Sequence, residues 1–135
     1  MKMLTVEAAI ENIEPVTEFI TKELENLNCP MKAQTQIAVA IDELFGNIAR
    51  YAYSPDVGKA TVCLEVEEDP LAVVITFIDN GKPFNPLEQA DPDIHQAAQE
   101  RKEGGLGIFL VKKTMTMVDY TYQDGKNIMT IKKNI

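Results

Sequence analysis

Ile41-Asp42-Glu43-Leu44-Phe45-Gly46-Asn47-Ile48-Ala49-Arg50-Tyr51-Ala52-Tyr53 is the stretch on which the reading of this chain turns. It closes a segment that reads as one helix from Pro30 to Tyr53, with proline at the first helical position and no glycine until Gly46. Ile37, Ile41, Leu44, Ile48 and Tyr51/Ala52 recur at helical spacing and make an apolar face. At roughly 100° per residue, Glu43 and Asn47 share a stripe flanking that face, with Arg50 close by. Asp42 points away from it, so Glu43 is the preferred acid. A carboxylate and a carboxamide oxygen thus stand at the core boundary, where a ligand could meet them. A solvated helix edge is the plainer alternative for so short a pattern.

Working outward, residues 2–7 read as a strand, and Asn12 as the cap of a helix from about Ile13 to Leu27. Val16, Phe19, Ile20, Leu24 and Leu27 keep its apolar period, which only Glu23 breaks. Beyond the central helix, Ser54-Pro55-Asp56-Val57-Gly58 is a turn. Residues 60–67 alternate apolar and polar, and residues 71–78 are apolar on both sides, so the second of these strands is expected at the centre of a sheet. The short link Glu68-Asp69-Pro70 makes them a hairpin. Residues 79–104 carry little apolar content, as a functional lid would. A second hairpin, turning at Asp124-Gly125, closes the chain. Helices on one face of a mostly antiparallel sheet are expected: an α+β fold, a two-layer α/β sandwich in one domain over residues 1–135.

The 135 residues are 45% hydrophobic and 25% charged, ordinary for a globular domain with a single core. No apolar run approaches the ~18 residues of a membrane span, and the early acidic residue Glu7 does not suit a signal peptide. Cys29 and Cys63 suit a reducing, cytoplasmic setting rather than a disulfide framework or zinc site. The net charge of −8 argues against non-specific nucleic-acid binding. It does not exclude an anionic nucleotide, whose phosphates can be held by backbone N–H groups and a metal.

Two further features carry chemistry. Gly104-Gly105-Leu106-Gly107 runs straight into the apolar helix Ile108-Phe109-Leu110-Val111, so the free N–H groups of a helix start would face whatever lies there, favouring phosphate. A hinge into a core helix is the alternative. Asp79-Asn80-Gly81 ends the central strand. Asp79 could cap its turn, or accept a hydrogen bond from an exocyclic amine such as adenine N6, with Gly81 leaving room for the ring.

Taken together and in this order, the boxes resemble the GHKL, or Bergerat-fold, ATPase superfamily, and most nearly its single-domain anti-sigma-factor serine/threonine kinases. Glu43 and Asn47 match Glu-x-x-x-Asn, residues 79–86 match Asp-x-Gly-x-x-Phe-x-Pro, and residues 104–111 match the glycine-rich box. The Tyr120 strand and the turn through Asn127 also resemble that family's C-terminus. The resemblance implies ATP and Mg²⁺ as ligands, with Asn47 holding the metal and Glu43 as general base. It implies adenine recognition by Asp79 beside Gly81, with Thr130 on the last strand adding a hydroxyl. Gly104, Gly105, Leu106, Gly107 and Ile108 would form the phosphate loop, and residues 85–103 the ATP lid. Two positions depart from the pattern: Tyr51 stands where His is frequent, and Thr116 where an acid follows the methionine.

The function so implied is transfer of the ATP γ-phosphate to a serine or threonine of an anti-anti-sigma-type antagonist, with a sigma factor as a possible second partner and a homodimer as a possible assembly. A nucleotide-dependent binding module without turnover is the alternative. A detached histidine-kinase domain fits less well, because Pro83 stands where those domains carry a second glycine. His95 reads as a solvated lid residue, and Met115, Met117 and Met129 as core fillers.

Overall fold

The computed structural model describes residues 1–88 and 105–135. A five-stranded antiparallel sheet has the order β1-β2-β3-β5-β4. Its strands are β1 (Lys2–Glu7), β2 (Lys59–Glu67), β3 (Ala72–Asp79), β4 (Met117–Gln123) and β5 (Lys126–Asn134). Three helices accompany it: α1 (Ile13–Asn26), α2 (Met31–Asn47) and α3 (Gly105–Thr114). They pack on one face, where Val16, Ile20, Ile37, Ile41, Phe45, Ile108 and Val111 share a core with Val62, Ile75, Phe77, Met129 and Ile131. This is the α+β two-layer sandwich expected from the element order.

β3 is central, flanked by β2 and β5. Its inward residues Val73, Ile75, Phe77 and Asp79 are buried, while Val74, Thr76 and Ile78 on the other face are only half-buried. The helices therefore cover one face of it rather than both. The β4–β5 hairpin turns at Asp124 and Gly125, both with positive φ (55° and 76°), the conformation a two-residue turn needs.

Three local expectations are corrected. Asn12 holds the N-cap position of α1 but makes no side-chain capping bond; its side chain donates to Glu7 O at 2.8 Å, and a 3₁₀ turn (Ile10–Asn12) leads into the helix. Pro30 is not the first helical residue but the extended cap before Met31, with ψ 143°. The long helix does not run regularly to Tyr53. After Asn47 it widens into a π-helical turn (Ile48–Ala52), a distortion that often accompanies functional sites. The wider turn changes the phase, so Ala52 is buried while Tyr51 is exposed.

Other irregularities have plain causes. Glu23, the break in the α1 stripe, meets Lys2 Nζ at 2.5 Å and ties the helix to β1. α1 ends with Asn28 at φ 56° and with Asn28 and Cys29 N–H donating back to Glu25 and Leu24, a Schellman closure. At the end of α3, Lys133 Nζ donates to Thr114 O at 2.5 Å, placing a cation on the carbonyl end of the helix. Both cysteines are free thiols. Among the described residues no helix is long and apolar enough to cross a membrane.

Candidate functional site

The end of α2 and the ends of β3 and β5 converge on one pocket. Leu44, Asn47, Ile48 and Ala52 line its helical wall. Phe77, Asp79, Tyr120, Asn127 and Met129 form its sheet floor, and Lys82, Phe84 and Pro86 close one side. Asn47 and Asp79, placed on separate motifs by the sequence, thus share a single apolar-walled cavity with few polar groups, as nucleotide and cofactor sites do.

Asn47 is 8% exposed. Its Nδ2 donates to Glu43 Oε1 at 3.4 Å, and among the described residues nothing donates to its Oδ1. Glu43 lies one turn back, outside the pocket lining, with its carboxylate against α3. Burial pushes the Glu43 carboxyl above its ordinary value, opposed by the Asn47 hydrogen bond and the charge of Arg50, and assisted by Asp42. A half-buried carboxyl with a raised pKa, beside an amide whose oxygen is open, is the pairing expected of a general base next to a cation or phosphate site.

At the other end, Asp79 is 4% exposed. Its Oδ1 accepts from Gly81 N–H at 2.8 Å and from Asn127 Nδ2 at 2.9 Å. So Asp79 does cap its turn, and it also lines the pocket.

The remaining candidates separate. Gly81 does not leave room for a ring; a β-carbon there would lie 2.3 Å from Ala52 O, because the turn packs on the π-helical backbone and Lys82 N–H bonds Ala52 O at 2.9 Å. Thr130 is corrected: it pairs with Thr76 on the uncovered face, and its neighbour Met129 lines the pocket instead. Ile108 is 1% exposed and belongs to the core, so only its backbone is available to a ligand. Leu106 is 40% exposed on the first turn of α3, which Gly105 begins. Gly107 lies under Glu43: a β-carbon there would sit 2.1 Å from Oε2. Gly104, His95 and residues 89–103 of the expected lid lie outside the described residues.

Sequence reading missed three residues. Asn127 is the buried partner of Asp79; a polar residue alternating with Met129 and Ile131 was the available signal. Tyr120 donates to Asn127 Oδ1 from β4. Tyr53 ties the start of β2 to the turn after Asp79, donating to Lys59 O at 2.6 Å and accepting from Asn80 N–H at 2.8 Å.

The sequence model for histidine kinase-like ATPase domains matches residues 6–133. The chain belongs to that family. Relatives of this histidine kinase-like ATPase domain include the serine-protein kinase RsbW of Bacillus mycoides (strain KBAB4), 30% identical over 98 residues. The proteins of the same name from Bacillus cereus strains ATCC 10987 / NRS 248 and B4264 are 31% and 32% identical over the same length. These alignments cover 70% of this chain and 60% of each relative. Membership of the histidine kinase-like ATPase family agrees with a pocket that gathers Asn47 and Asp79.

Proposed function

We propose that this chain binds ATP with Mg²⁺ in the pocket between α2 and the sheet, and transfers the γ-phosphoryl group to a serine or threonine of an antagonist protein. The observation that carries the reading is the arrangement of one pocket with Asp79 on its floor and Asn47 on its wall, and with Glu43 hydrogen-bonded to Asn47. The kinase names of the relatives support the reaction class.

Asn47 fits a metal role: its buried Oδ1 takes no donor among the described residues, and a hard cation prefers such an oxygen. Among those residues no group of three or more His, Cys, Asp or Glu gathers, so an ion here would take most of its ligands from phosphate oxygens and water. Bound Mg²⁺ supplies charge neutralisation of the phosphates. Asn47 orients them, and the first turn of α3 adds its free N–H groups and positive end. Glu43 takes the proton of the acceptor hydroxyl as its oxygen bonds to the γ-phosphorus and the bridging P–O bond breaks, releasing ADP. The protein works in the cytoplasm on an anti-anti-sigma-type antagonist and a sigma factor, as a homodimer.

Labelled ATP incubated with wild type, Glu43→Ala and a serine-bearing antagonist domain tests this. Wild type should transfer label, and Glu43→Ala should bind ATP without transferring it. Transfer by both at equal rates would remove Glu43 from the role of base; ATP-sensitive capture of the antagonist without label would make the chain a binding module.

A further inference from the structure

The segment that leaves β3 is seated on the end of the long helix, residue against residue. Asn80 N–H donates to the Tyr53 hydroxyl at 2.8 Å. Gly81 packs on the Ala52 carbonyl, and Lys82 N–H donates to that oxygen at 2.9 Å. Lys82 Nζ donates to Ser54 O at 2.8 Å. The Phe84 ring meets the Tyr51 ring with centroids 6.2 Å apart and planes tilted by 53°, a favourable aromatic geometry. Phe84 is pinned from the other side, where its N–H donates to Asn127 Oδ1 at 3.0 Å. Tyr51 is 51% exposed and stands outside the pocket lining, so burial in the core does not account for its placement.

The helical side of this seam is the π-helical turn Ile48–Ala52 with the two residues after it, and the turn follows directly on Asn47. Residues 80–85 form no helix or strand of their own, so the seam is what holds them. A change of phase in the π-helical turn would carry Tyr51 and Ala52 away from Phe84 and Gly81. One short backbone element therefore serves both ends of the pocket. Asn47 stands at the end read above as the phosphate side, and the Asp79–Phe84 segment at the end read as the base side.

We propose that Tyr51 and Ala52 are positioning residues that couple the two ends of the pocket, so that a ligand held at Asn47 tightens binding at Asp79. The proposal rests on the nucleotide reading above and deepens it. The physical cause is ordering. A ligand at Asn47 fixes the π-helical turn, and the turn fixes the Asp79–Phe84 segment through Ala52 O and the Tyr51 ring. The second ligand then meets an element already ordered and loses less conformational entropy on binding. The coupling is reciprocal, because linkage requires it to be.

Calorimetric affinities of the full chain for adenosine and for magnesium pyrophosphate, each alone and in the presence of the other, test the proposal. Adenosine is uncharged, and the pair lacks the α-phosphate that joins them in ATP, so cooperation between them passes through the protein. Saturating magnesium pyrophosphate should raise the affinity for adenosine by about fivefold or more, and saturating adenosine should raise that for pyrophosphate by the same factor. Tyr51→Phe keeps the ring and should keep the factor. Tyr51→Ala removes only an exposed ring contact and should reduce the factor by about half or more. Gly81→Ala, which pushes the segment off Ala52, should bring it close to unity.

A merely structural role for Tyr51 would weaken both probes together and leave the factor alone, and that result overturns the proposal. So does a factor kept at its wild-type value in Gly81→Ala. If wild type binds ATP but its affinity for adenosine is undetectable or unchanged with pyrophosphate present, this proposal alone falls. If wild type binds neither ATP nor adenosine, the nucleotide reading falls and this proposal with it.

Discussion

Gly107 on α3 lies directly against the carboxylate of Glu43 on α2, so close that a β-carbon at 107 would come within 2.1 Å of Oε2 and 2.4 Å of Cδ. The contact joins the start of the helix proposed to face the phosphates to the proposed base. The obstructed atoms are the end of a flexible side chain, so the carboxylate can swing away, and alanine is the better helix former by about 1 kcal/mol. Gly107→Ala should therefore leave the melting temperature within a few degrees of wild type. Phosphoryl transfer should fall by at least about tenfold, as expected when a catalytic group is displaced by an ångström or so. Melting followed by labelled transfer checks both; unchanged transfer would show that the glycine is needed only for packing.

Burial holds the Glu43 carboxyl above its ordinary value of 4.5. A folded-state pKa raised in this way favours the fold when the group is protonated, and that advantage is lost as pH rises through the folded-state value. Glu43→Gln, a neutral mimic, should thus be more stable than wild type at pH 7 to 8, by no more than about 1 kcal/mol because the group is half-exposed and screened. The difference should close as pH falls below the ordinary value. In kinetics, the wild-type transfer rate should rise with pH through the raised pKa, and the variant should lack that limb.

Gly81 meets backbone rather than a movable side chain: its β-carbon would lie 2.3 Å from Ala52 O and 2.6 Å from Ala52 C and Cβ. Gly81→Ala must push the Asp79 turn off the π-helical segment. A loss of about 1–3 kcal/mol is expected, together with weaker ATP binding, since Asp79 moves with the turn. Urea denaturation and calorimetry measure the two effects. A wild-type midpoint would mean that the turn and helix separate freely.

Tyr53→Phe removes one hydroxyl that both donates to Lys59 O and accepts from Asn80 N–H. Both partners lie at the surface, where water can replace the lost bonds, so the cost should be about 1–2 kcal/mol. That is a fall of roughly 4 °C in melting temperature for a chain of this size. Gly58 is part of the same arrangement, for its missing β-carbon leaves the space that the Tyr53 ring fills, at 2.3 Å from Cε1. Gly58→Ala should cost at least as much as Tyr53→Phe and add little to it in the double variant, because both loosen the same ring.

Much of this architecture was legible because it is local. The continuous apolar run of β3 placed it at the sheet centre, and Asp-Gly between two strands located the final turn. Glu43 and Asn47 could be paired from helical spacing alone. Some misreadings arose within a segment, at the starts of α1 and α2, and others where distant segments meet. Thr130, carried over from the resemblance, falls on the uncovered face because β5 turns Asn127, Met129 and Ile131 inward; the β3–β5 register is set by packing, and a shift of one residue reverses every side chain. The π-helical turn escaped detection since its sequence, Ile48-Ala49-Arg50-Tyr51-Ala52, is unexceptional for a regular helix.

The residue order alone determined the helical period of α2, the β-strand alternations, the tight turns and the chemical character of each motif, because these depend on neighbours a few positions apart. Only the tertiary structure decided that Asn127 would lock Asp79 across 48 positions of sequence, that Gly81 would face Ala52, and that Gly107 would face Glu43. Those contacts depend on how strands register and helices dock, which is set by the whole core and not by any one segment.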